Sequence, residues 1–299
     1  MPAKPGRTLY ASDRAYIESA FPAGVHVSSP SQLLPSLSTI HRVIEAEVAY
    51  TMARMQILER MPDNPIGIAY RRFDDNVVAL AARHLPSPSF NKVVGLRAGQ
   101  ERHVQPLVEW YREIGAQGRF DMVPGDFGTS LGRELALRGY FQSGFYAALI
   151  GEPDAPAAIP DGISVEPVTG EAMMEEYLDA YVVGWGIAEE HRDSFKENVR
   201  PWLAQLGWSL YLARVEGRPV GAATLYVHGA VGYLADSATD PAFRRRGVHT
   251  ALLMRRFEAA KAAGVDLVCG GAEFLSASHR NMESVGMRIL FMRSIWSPL

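Results

Sequence analysis

The stretch TDPAFRRRGVHTALL, residues 239–253, decides how this chain is interpreted. It joins a run with strand character, Val231–Thr239, to an amphipathic helical stretch that begins at Val248. Gly247 at the junction lets the backbone approach a ligand closely. The first N–H groups of a helix have no partner inside the helix, and the helix dipole makes that end positive. The stretch therefore predicts a site for a phosphate group.

Three consecutive arginines, Arg244–Arg246, stand inside this turn. They add positive charge and forked donors that suit phosphate oxygens. A simpler interpretation is a solvated basic turn before a surface helix. The position of the turn, after a strand and the segment Thr239-x-Pro241, favours the ligand site.

The two parts of the chain repeat the same order of elements about 146 residues apart. In each part a helical stretch is followed by a short strand, a second helical stretch that stops at a glycine, and a final strand. The matching positions are Leu107 with Leu253, Tyr111 with Phe257, and Gly139 with Gly286. One common offset for four successive elements indicates an internal duplication.

A proline-rich segment, residues 150–167, separates the two parts and has the composition of a linker. We therefore expect a first domain over residues 31–152 and a second over residues 163–299, with residues 1–30 as an N-terminal arm, possibly flexible. Strands alternate with helices in both parts, which predicts an α/β or α+β layer fold. In the second domain Pro201 is expected to kink or split the helical stretch 189–206.

The composition is that of an ordinary globular protein: 299 residues, 47% hydrophobic and 21% charged, with a net charge of −3. No chain-wide basic footprint for nucleic acid or an anionic membrane is present. The single cysteine, Cys269, excludes an internal disulfide framework, fits a reducing cytoplasm and is expected to lie in the core. The histidines show no spacing typical of a zinc site. We expect a cytoplasmic protein with no metal, no membrane span and no nucleic-acid partner.

The motif Arg244-x-x-Gly247-x-His249 resembles the acetyl-CoA loop of the GNAT superfamily of N-acetyltransferases, which reads Gln/Arg-x-x-Gly-x-Gly/Ala after the fourth strand. His249 stands where the family has Gly or Ala. The resemblance covers residues 163–299 by motif and residues 31–150 by the order of elements alone. It implies two tandem GNAT-like domains, each a mixed, mostly antiparallel central sheet flanked by helices.

The resemblance also implies where the co-substrate acetyl-CoA binds. The backbone at Ala238 and Thr239 would pair with the pantetheine arm, and the N–H groups of Arg245–Thr250 would hold the pyrophosphate. Asn281 would contact the CoA arm, although it could instead simply cap or solvate its helix. The implied binding residues are Ala238, Thr239, Arg244, Arg245, Arg246, Gly247, Val248, His249, Thr250 and Asn281.

Acyl transfer to an amine needs a base, donors that polarise the thioester carbonyl and, in many enzymes, an acid for the leaving thiolate. Many family members use a tyrosine as that acid, but here the position is Met282. The candidate catalytic residues are Glu273, ranked first, then Asp236, and Tyr233 at a common base position of the family. Tyr233 is a poor base at neutral pH, and Glu273 could be an ordinary solvated carboxylate. Asp236 and Tyr233 have opposite strand parity, so both face the cleft only if a bulge intervenes.

In the first half, the counterpart of the phosphate turn runs from Gly95 to Glu101. One arginine replaces three, and Glu101 opens the helix where a phosphate would have to lie. An acid at that place stabilises the helix and would repel the ligand. We therefore expect a degenerate first half that shapes the cleft and does not bind CoA.

Two further expectations concern the second half. Arg255 and Arg256 are most simply explained as a solvated helix face. Five aromatic residues should be mainly core, with one or two lining an acceptor pocket: Tyr177, Tyr181, Trp185, Trp202 and Trp208.

The first functional hypothesis is therefore an enzyme that transfers acetyl from acetyl-CoA to a primary amine of a small molecule, directly, in a ternary complex. Met282 motivates an alternative from another class, a non-catalytic module that binds or senses an acyl-CoA. An acyl group longer than acetyl is a third possibility. The sequence leaves the acceptor amine and the oligomeric state open.

Overall fold

The structure is a computed structural model that describes residues 35–85, 87, 89–154 and 159–299. The arm expected at residues 1–30 lies outside these ranges. The described helices are α1 (Leu37–Glu59), α2 (Val104–Glu113), α3 (Thr129–Leu137), α4 (Gly170–Gly184), α5 (Arg192–Val199), α6 (Val248–Ala262) and α7 (Ala277–Ser284). None of the helices in these ranges has the length and apolar character needed to cross a bilayer.

The strands follow the sequence-based expectations except for Ile163–Pro167, which lies in the segment expected to be a linker and pairs with the strand Trp208–Val215. They are β1 (Ile68–Arg72), β2 (Val78–Ala82), β3 (Lys92–Val94), β4 (Arg119–Met122), β5 (Tyr140–Gly151), β6 (Ile163–Pro167), β7 (Trp208–Val215), β8 (Arg218–His228), β9 (Val231–Thr239), β10 (Leu267–Ala272) and β11 (Arg288–Pro298). Short 3₁₀ turns flank α5 on both sides, at Glu189–His191 and Arg200–Ala204, so the predicted split near Pro201 is confirmed.

All eleven strands form one sheet, in the order β1-β2-β3-β4-β11-β5-β10-β9-β8-β7-β6. Two neighbouring pairs, β3–β4 and β9–β10, are parallel, and the other pairs are antiparallel. The last strand of each half is inserted into the sheet of the other half. β5 lies between β10 and β11, while β11 lies between β4 and β5. The halves therefore complete each other's sheet, and the mixed, mostly antiparallel fold predicted from the sequence is confirmed.

The internal repeat is visible in the elements themselves. The succession α2, β4, α3, β5 in the first half matches α6, β10, α7, β11 in the second. Gly139 and Gly286 adopt left-handed backbone conformations after α3 and α7, which is the helix ending their type favours.

Helices cover both faces of the sheet. Neighbouring residues of β8 show this directly: Ala222 belongs to the core under α4, and Ala223 to the core under α6. Cys269 of β10 is fully buried, as expected. The core under α4 also contains Tyr50 of α1, so one helix of the first half packs on the sheet of the second.

Helix α1 was not foreseen from the sequence. Ser36 caps it by accepting a hydrogen bond from the N–H of Thr39 at 3.0 Å. Apolar residues occupy most of its faces, because Tyr50 and Ile57 pack under α4 while Met55 and Leu58 pack on the strands of the first half. That distribution weakens the helical periodicity. The helix therefore bridges the two halves beside the site.

Candidate active site

The sheet opens where β9 and β10 part. Parallel pairing runs from Val231 with Leu267 to Tyr233 with Cys269 and then ends. β9 continues to Thr239, whereas β10 stays paired with β5 as far as Ala272. Beyond Tyr233, β9 therefore has no strand partner on this side, and a cleft enters the sheet.

The turn after β9 closes one end of this cleft. Gly247 has φ +84° and Arg245 has φ +63°, both in the left-handed region, and α6 starts at Val248. In the part of the chain that the structure describes, the N–H groups of Arg245, Arg246 and Gly247 have no acceptor. The first helical bond is donated by Ala251 to the Gly247 carbonyl at 2.9 Å. The predicted run of unpaired N–H groups is therefore present in the structure.

The cleft beside this turn has a volume of about 630 Å³. Its walls come from the end of α4, the end of β9, the turn, the start of α6 and α7. The lining residues are Gly184, Trp185, Ser237, Ala238, Thr239, Phe243, Arg244, Arg245, Gly247, Val248, His249, Thr250, Ala277, Ser278 and Asn281. Every residue expected at the CoA site lines it except Arg246, whose guanidinium lies over the Phe243 ring, 5.2 Å from the centroid.

Arg244 contributes to the cleft wall in an unexpected way. Its guanidinium donates to the carbonyl oxygen of Thr239 at 3.3 Å and to that of Gly184 at 3.2 Å. Gly184 is the last residue of α4, where helix carbonyls are unpaired and carry partial negative charge. Arg244 thus ties α4 to the end of β9 and fixes the width of the cleft.

His249 and Asn281, which are far apart in sequence, form a pair across the cleft. The Asn281 side-chain nitrogen lies 3.0 Å from His249 Nδ1. Burial, assisted by the nearby Arg256 charge, lowers the pKa of His249 to about 3, so the ring is neutral at pH 7. With Nδ1 accepting from the Asn281 amide, the ring proton resides on Nε2. Nε2 is buried and has no hydrogen-bond partner among the described residues, so its proton is unpaired.

A β-bulge lies in β9 at the mouth of the opening. Ala235 pairs with Thr224 and Ala238 with Ala222, so Asp236 and Ser237 together stand opposite a single residue. Asp236 has φ +47°, in the left-handed region that a bulge can require. The bulge reverses the strand parity, and both Tyr233 and Asp236 line the same cavity. The bulge that the sequence analysis required for Tyr233 and Asp236 to face the same cleft is therefore present.

Arg256 stabilises this bulge from the opposite side of β9. It is fully buried and donates to the Thr224 carbonyl at 3.0 Å, the Ala235 carbonyl at 3.2 Å and Ser237 Oγ at 2.7 Å. The expectation that Arg256 belongs to a solvated face is wrong, because the bulge exposes backbone carbonyls that need buried donors. Burial lowers the pKa of Arg256 to about 10, so it stays charged at pH 7.

A second cavity of about 520 Å³ lies on the other side of the bulge. The second half supplies Tyr233, Asp236, Gly271, Glu273, Met282 and Arg293, and the first half supplies Glu47, Tyr50, Arg54, Phe90, Lys92, Arg119 and Tyr146. Trp185, Ser237 and Ser278 line both cavities. The two cavities therefore meet at these three residues.

The three candidate catalytic residues differ in their surroundings. Asp236 is partly buried, accepts a hydrogen bond from the Tyr50 hydroxyl and lies 3.5 Å from the Arg54 guanidinium. Glu273 is exposed at the cavity rim, and its carboxylate has no hydrogen bond or ion pair within the described ranges. Burial raises the pKa of Tyr233 well above its usual value, so the phenol keeps its proton at neutral pH.

The aromatic residues divide as expected. Tyr177, Tyr181, Trp202 and Trp208 are buried in the core beneath α4. Trp185, just beyond the end of α4, is 49% exposed and lines both cavities.

Sequence reasoning missed the contribution of the first half to the second cavity. Tyr50 and Arg54 of α1 reach the Asp236 carboxylate across 186 and 182 positions of sequence. No local sequence motif indicates such contacts, because they depend on how α1 packs on β9. The helical spacing of Glu47, Tyr50 and Arg54 was the available signal.

This splayed sheet, with an unpaired N–H turn at the end of the opening, is the architecture of an acyl-CoA-dependent acetyltransferase. Residues 160–274 match the family model described as an acetyltransferase (GNAT) domain. The second half of the chain therefore carries a GNAT acetyltransferase domain, as its sequence motif predicts. No curated protein sequence matches it.

Solved structures support the same fold over most of the chain. A GCN5-related N-acetyltransferase from Kribbella flavida is similar with a TM-score of 0.60 and 15% identity, covering 85% of this chain and 95% of that one. One from Sphaerobacter thermophilus has a TM-score of 0.55 and 17% identity, covering 76% and 81%. A tandem GNAT protein from the clavulanic acid biosynthesis pathway has a TM-score of 0.54 and 14% identity, covering 84% and 95%.

Proposed function

We propose that this acetyltransferase moves acetyl from acetyl-CoA to the primary amine of a small molecule, directly, in a ternary complex. The observation that carries the proposal is the meeting of two cavities at Trp185, Ser237 and Ser278. A donor in the first cavity and an acceptor in the second can be held together at this junction. The second cavity is enclosed by α1 and the first half, and its volume suits a small molecule rather than a protein surface.

The residues of the first cavity fit the donor. Acetyl-CoA supplies the activated acyl group, and the chain supplies complementary donors for its diphosphate. These donors are the N–H groups of Arg245–Thr250 and the charge of Arg245. The free edge of β9 at Ala238 and Thr239 offers backbone groups to the amides of the pantetheine arm.

The carboxylates at the junction suit the acceptor amine. Asp236 is held by Tyr50 and Arg54 and stabilises an incoming ammonium, while Glu273 has no competing partner and accepts the proton. The amine nitrogen then attacks the thioester carbonyl carbon, the C–S bond breaks, and the departing CoA thiolate takes up the second proton, which the nitrogen releases as it becomes an amide. Tyr233 keeps its proton and can act only as a donor in this cavity.

The alternative function is a module that binds an acyl-CoA without turning it over. Met282 favours it, because this side chain occupies the usual position of the acid and lines the second cavity without any proton to donate. The two functions make opposite predictions for the release of free CoA.

The first half, in this proposal, does not bind CoA. Glu101 stands at the start of its turn, and its carboxylate accepts hydrogen bonds from the Gly99 N–H at 3.2 Å and from the Ser130 hydroxyl. The Ser130 bond is the main reason why the pKa of Glu101 is lowered. A carboxylate already occupies the anion position, so a phosphate would be repelled.

The test is release of free CoA from acetyl-CoA in the presence of a panel of small primary amines. We expect turnover with at least one amine and a fall in kcat of about a hundredfold in Glu273→Gln, since a general base contributes 10²-fold or more. Glu283→Gln is the matched control, because Glu283 on α7 lines neither cavity. CoA binding with no release for any amine would establish the alternative. Loss of activity in Asp236→Asn, with Glu273→Gln unaffected, would move the base to Asp236.

A further inference from the structure

The second cavity has a cluster of five charged side chains at the end away from the CoA cleft. Glu47 of α1, Lys92 of β3, Arg119 and Asp121 of β4, and Arg293 of β11 form it. All except Arg119 are buried. Lys92 Nζ lies 3.0 Å from a Glu47 carboxylate oxygen, and Arg293 binds both Glu47 and, at 3.2 Å, Asp121.

This cluster has an excess of positive charge. Three cations, Lys92, Arg119 and Arg293, face two carboxylates, Glu47 and Asp121. Burial alone would raise the pKa of Glu47, but Arg293 and Lys92 outweigh it and hold that pKa well below its usual range. The Glu47 carboxylate is therefore ionised, and one positive charge at this end has no counter-charge.

Part of the donor capacity of the cluster is also unused. Arg293 is only 5% exposed and lines the cavity, yet its Nε has no hydrogen-bond partner in the described ranges. Arg119 is partly exposed and lines the same cavity, so its guanidinium is accessible from inside. The excess charge, together with the buried and unpaired Nε of Arg293, therefore favours an anion at this end of the cavity.

The other end of the cavity has the opposite balance. Asp236 and Glu273 supply two carboxylates, and Arg54 supplies one cation, whose guanidinium is held 4.5 Å from the Phe90 ring centroid. Along α1, Glu47 and Arg54 are seven residues apart, or about 10 Å. The cavity is therefore negative near the CoA cleft and positive at the far end.

We infer that the acceptor is a zwitterion, an amine with a carboxylate at the far end of an extended chain, as in an ω-amino acid. The inference rests on the proposed acetyl transfer, because that reaction places the amine at the junction of the cavities. The ammonium lies by Asp236 and Glu273 before it loses its proton. The carboxylate lies by Arg119 and Arg293.

The test compares three ligands of equal length that differ in the far group: 5-aminopentanoate, pentylamine and 1,5-diaminopentane. Binding to the CoA-saturated protein is measured by calorimetry, and CoA release is measured in parallel. We expect 5-aminopentanoate to bind about tenfold to a hundredfold more tightly than pentylamine, as a charge-assisted contact requires. The diamine should bind most weakly, because its second ammonium meets the excess positive charge.

Arg119→Gln removes that excess, and Arg112→Gln on the exposed side of α2 is the matched control. Arg119→Gln should reduce the preference for 5-aminopentanoate over pentylamine to within about twofold, with CoA affinity unchanged. Arg112→Gln should keep the preference.

Any of three binding results overturns the inference: equal binding of 5-aminopentanoate and pentylamine, tighter binding of the diamine, or a preference that survives Arg119→Gln. Turnover of pentylamine as efficient as that of 5-aminopentanoate would also overturn it, while leaving acetyl transfer intact. A clear binding preference without any CoA release would support the inference and count against the proposed transfer.

Discussion

The two halves contain equivalent turns that lie 146 residues apart. The turns differ in whether their backbone N–H groups are free to bind an external anion. At the position of Gly247 in the second half, the first half has Glu101. Left-handed residues stand two positions earlier in both, Arg245 with φ +63° and Gly99 with φ +89°. In the first turn the chain's own carboxylate bonds the Gly99 N–H; in the second the N–H groups are free. In the first half, a similar backbone conformation therefore binds the chain's own Glu101 carboxylate. In the second half it leaves its N–H groups free for an external anion.

The strands that precede these turns differ in how far they run beyond their last pair with the neighbouring parallel strand. β3 ends at Val94, one residue beyond its last pair with β4 at Val93. β9 runs from its last pair with β10, at Tyr233, as far as Thr239. The second half thus has a free strand edge next to its free N–H groups, and the first half has neither. A single substitution of Glu101 would consequently not create a second CoA site.

The largest effect is expected at Gly247. A Cβ there would lie 3.2 Å from Pro160 Cγ, and the positive φ strains any other residue. Gly247→Val should weaken CoA binding by about a hundredfold or more, because the unpaired N–H groups move out of alignment. Calorimetry on the wild type should show one CoA per chain.

Two control glycines sharpen this prediction. Gly264, with φ +73°, follows the other end of α6, and Gly99 lies in the equivalent turn of the first half; a Cβ at either meets no atom within 4 Å. Each valine variant should be less stable by about 1–2 kcal/mol from left-handed strain alone, with CoA affinity preserved. A loss of CoA affinity in Gly99→Val would show that the first turn also binds the ligand.

The second prediction uses the helices that follow the turns. Arg256 of α6 has Trp110 of α2 as its counterpart 146 residues earlier. The pairing of β2 with β3 has no bulge, so no backbone carbonyls there need a hydrogen-bond donor from Trp110. The pairing of β8 with β9 has a bulge at Asp236, and Arg256 donates to the carbonyls that the bulge leaves unpaired. Arg256→Met should lower the free energy of unfolding by about 2–4 kcal/mol, because buried carbonyls lose their donors. It should also reduce kcat by about tenfold or more, with little change in CoA affinity.

Arg255→Met is the control for Arg256, since the neighbouring residue makes a partly exposed ion pair with Glu258 at 3.1 Å and should cost less than about 0.5 kcal/mol. Arg256→Lys should recover part of the lost kcat. Urea unfolding and steady-state kinetics measure both effects. If kcat per folded molecule is unchanged in Arg256→Met, the bulge does not depend on this arginine.

The smallest effect concerns the two equivalent histidines. His103 faces Asp74 at 3.2 Å, whereas His249 has a pKa lowered from 6.5 to about 3, chiefly by burial. Below pH 6.5 the unfolded chain binds a proton at His249 that the folded chain does not. Above pH 6.5 this residue therefore does not lower the free energy of unfolding. As the pH drops below 6.5, its effect lowers the free energy of unfolding by at most about 1.4 kcal/mol per pH unit.

Unfolding in urea at pH 7.0 and pH 5.5 measures this difference. Between pH 7.0 and pH 5.5, the free energy of unfolding of His249→Gln should fall by about 1 kcal/mol less than that of the wild type. His103→Gln serves as the comparison and should not remove this component. An unchanged pH dependence in His249→Gln would mean that the ring is protonated in the folded protein.

The sequence alone determined the features that depend on neighbouring residues. The glycine of the turn, the start of α6 and the order of strands and helices apart from α1 and β6 follow from local spacing and propensity, and the structure agrees with each. The motif also pointed to most residues of the cleft wall that the turn contributes, although it missed Phe243 and the direction of Arg246. Local backbone geometry encodes these features, so a motif can reveal them.

Only the tertiary structure decided what requires distant segments to meet. The exchange of β5 and β11, the contact of Tyr50 with Asp236 and the buried role of Arg256 involve residues separated by long stretches of chain. A helix that packs apolar residues on several faces, such as α1, shows little periodicity, and an arginine that satisfies a bulge looks in sequence like a solvated one. The second cavity is lined by residues of both halves, and its charge pattern therefore appears only when both are folded together.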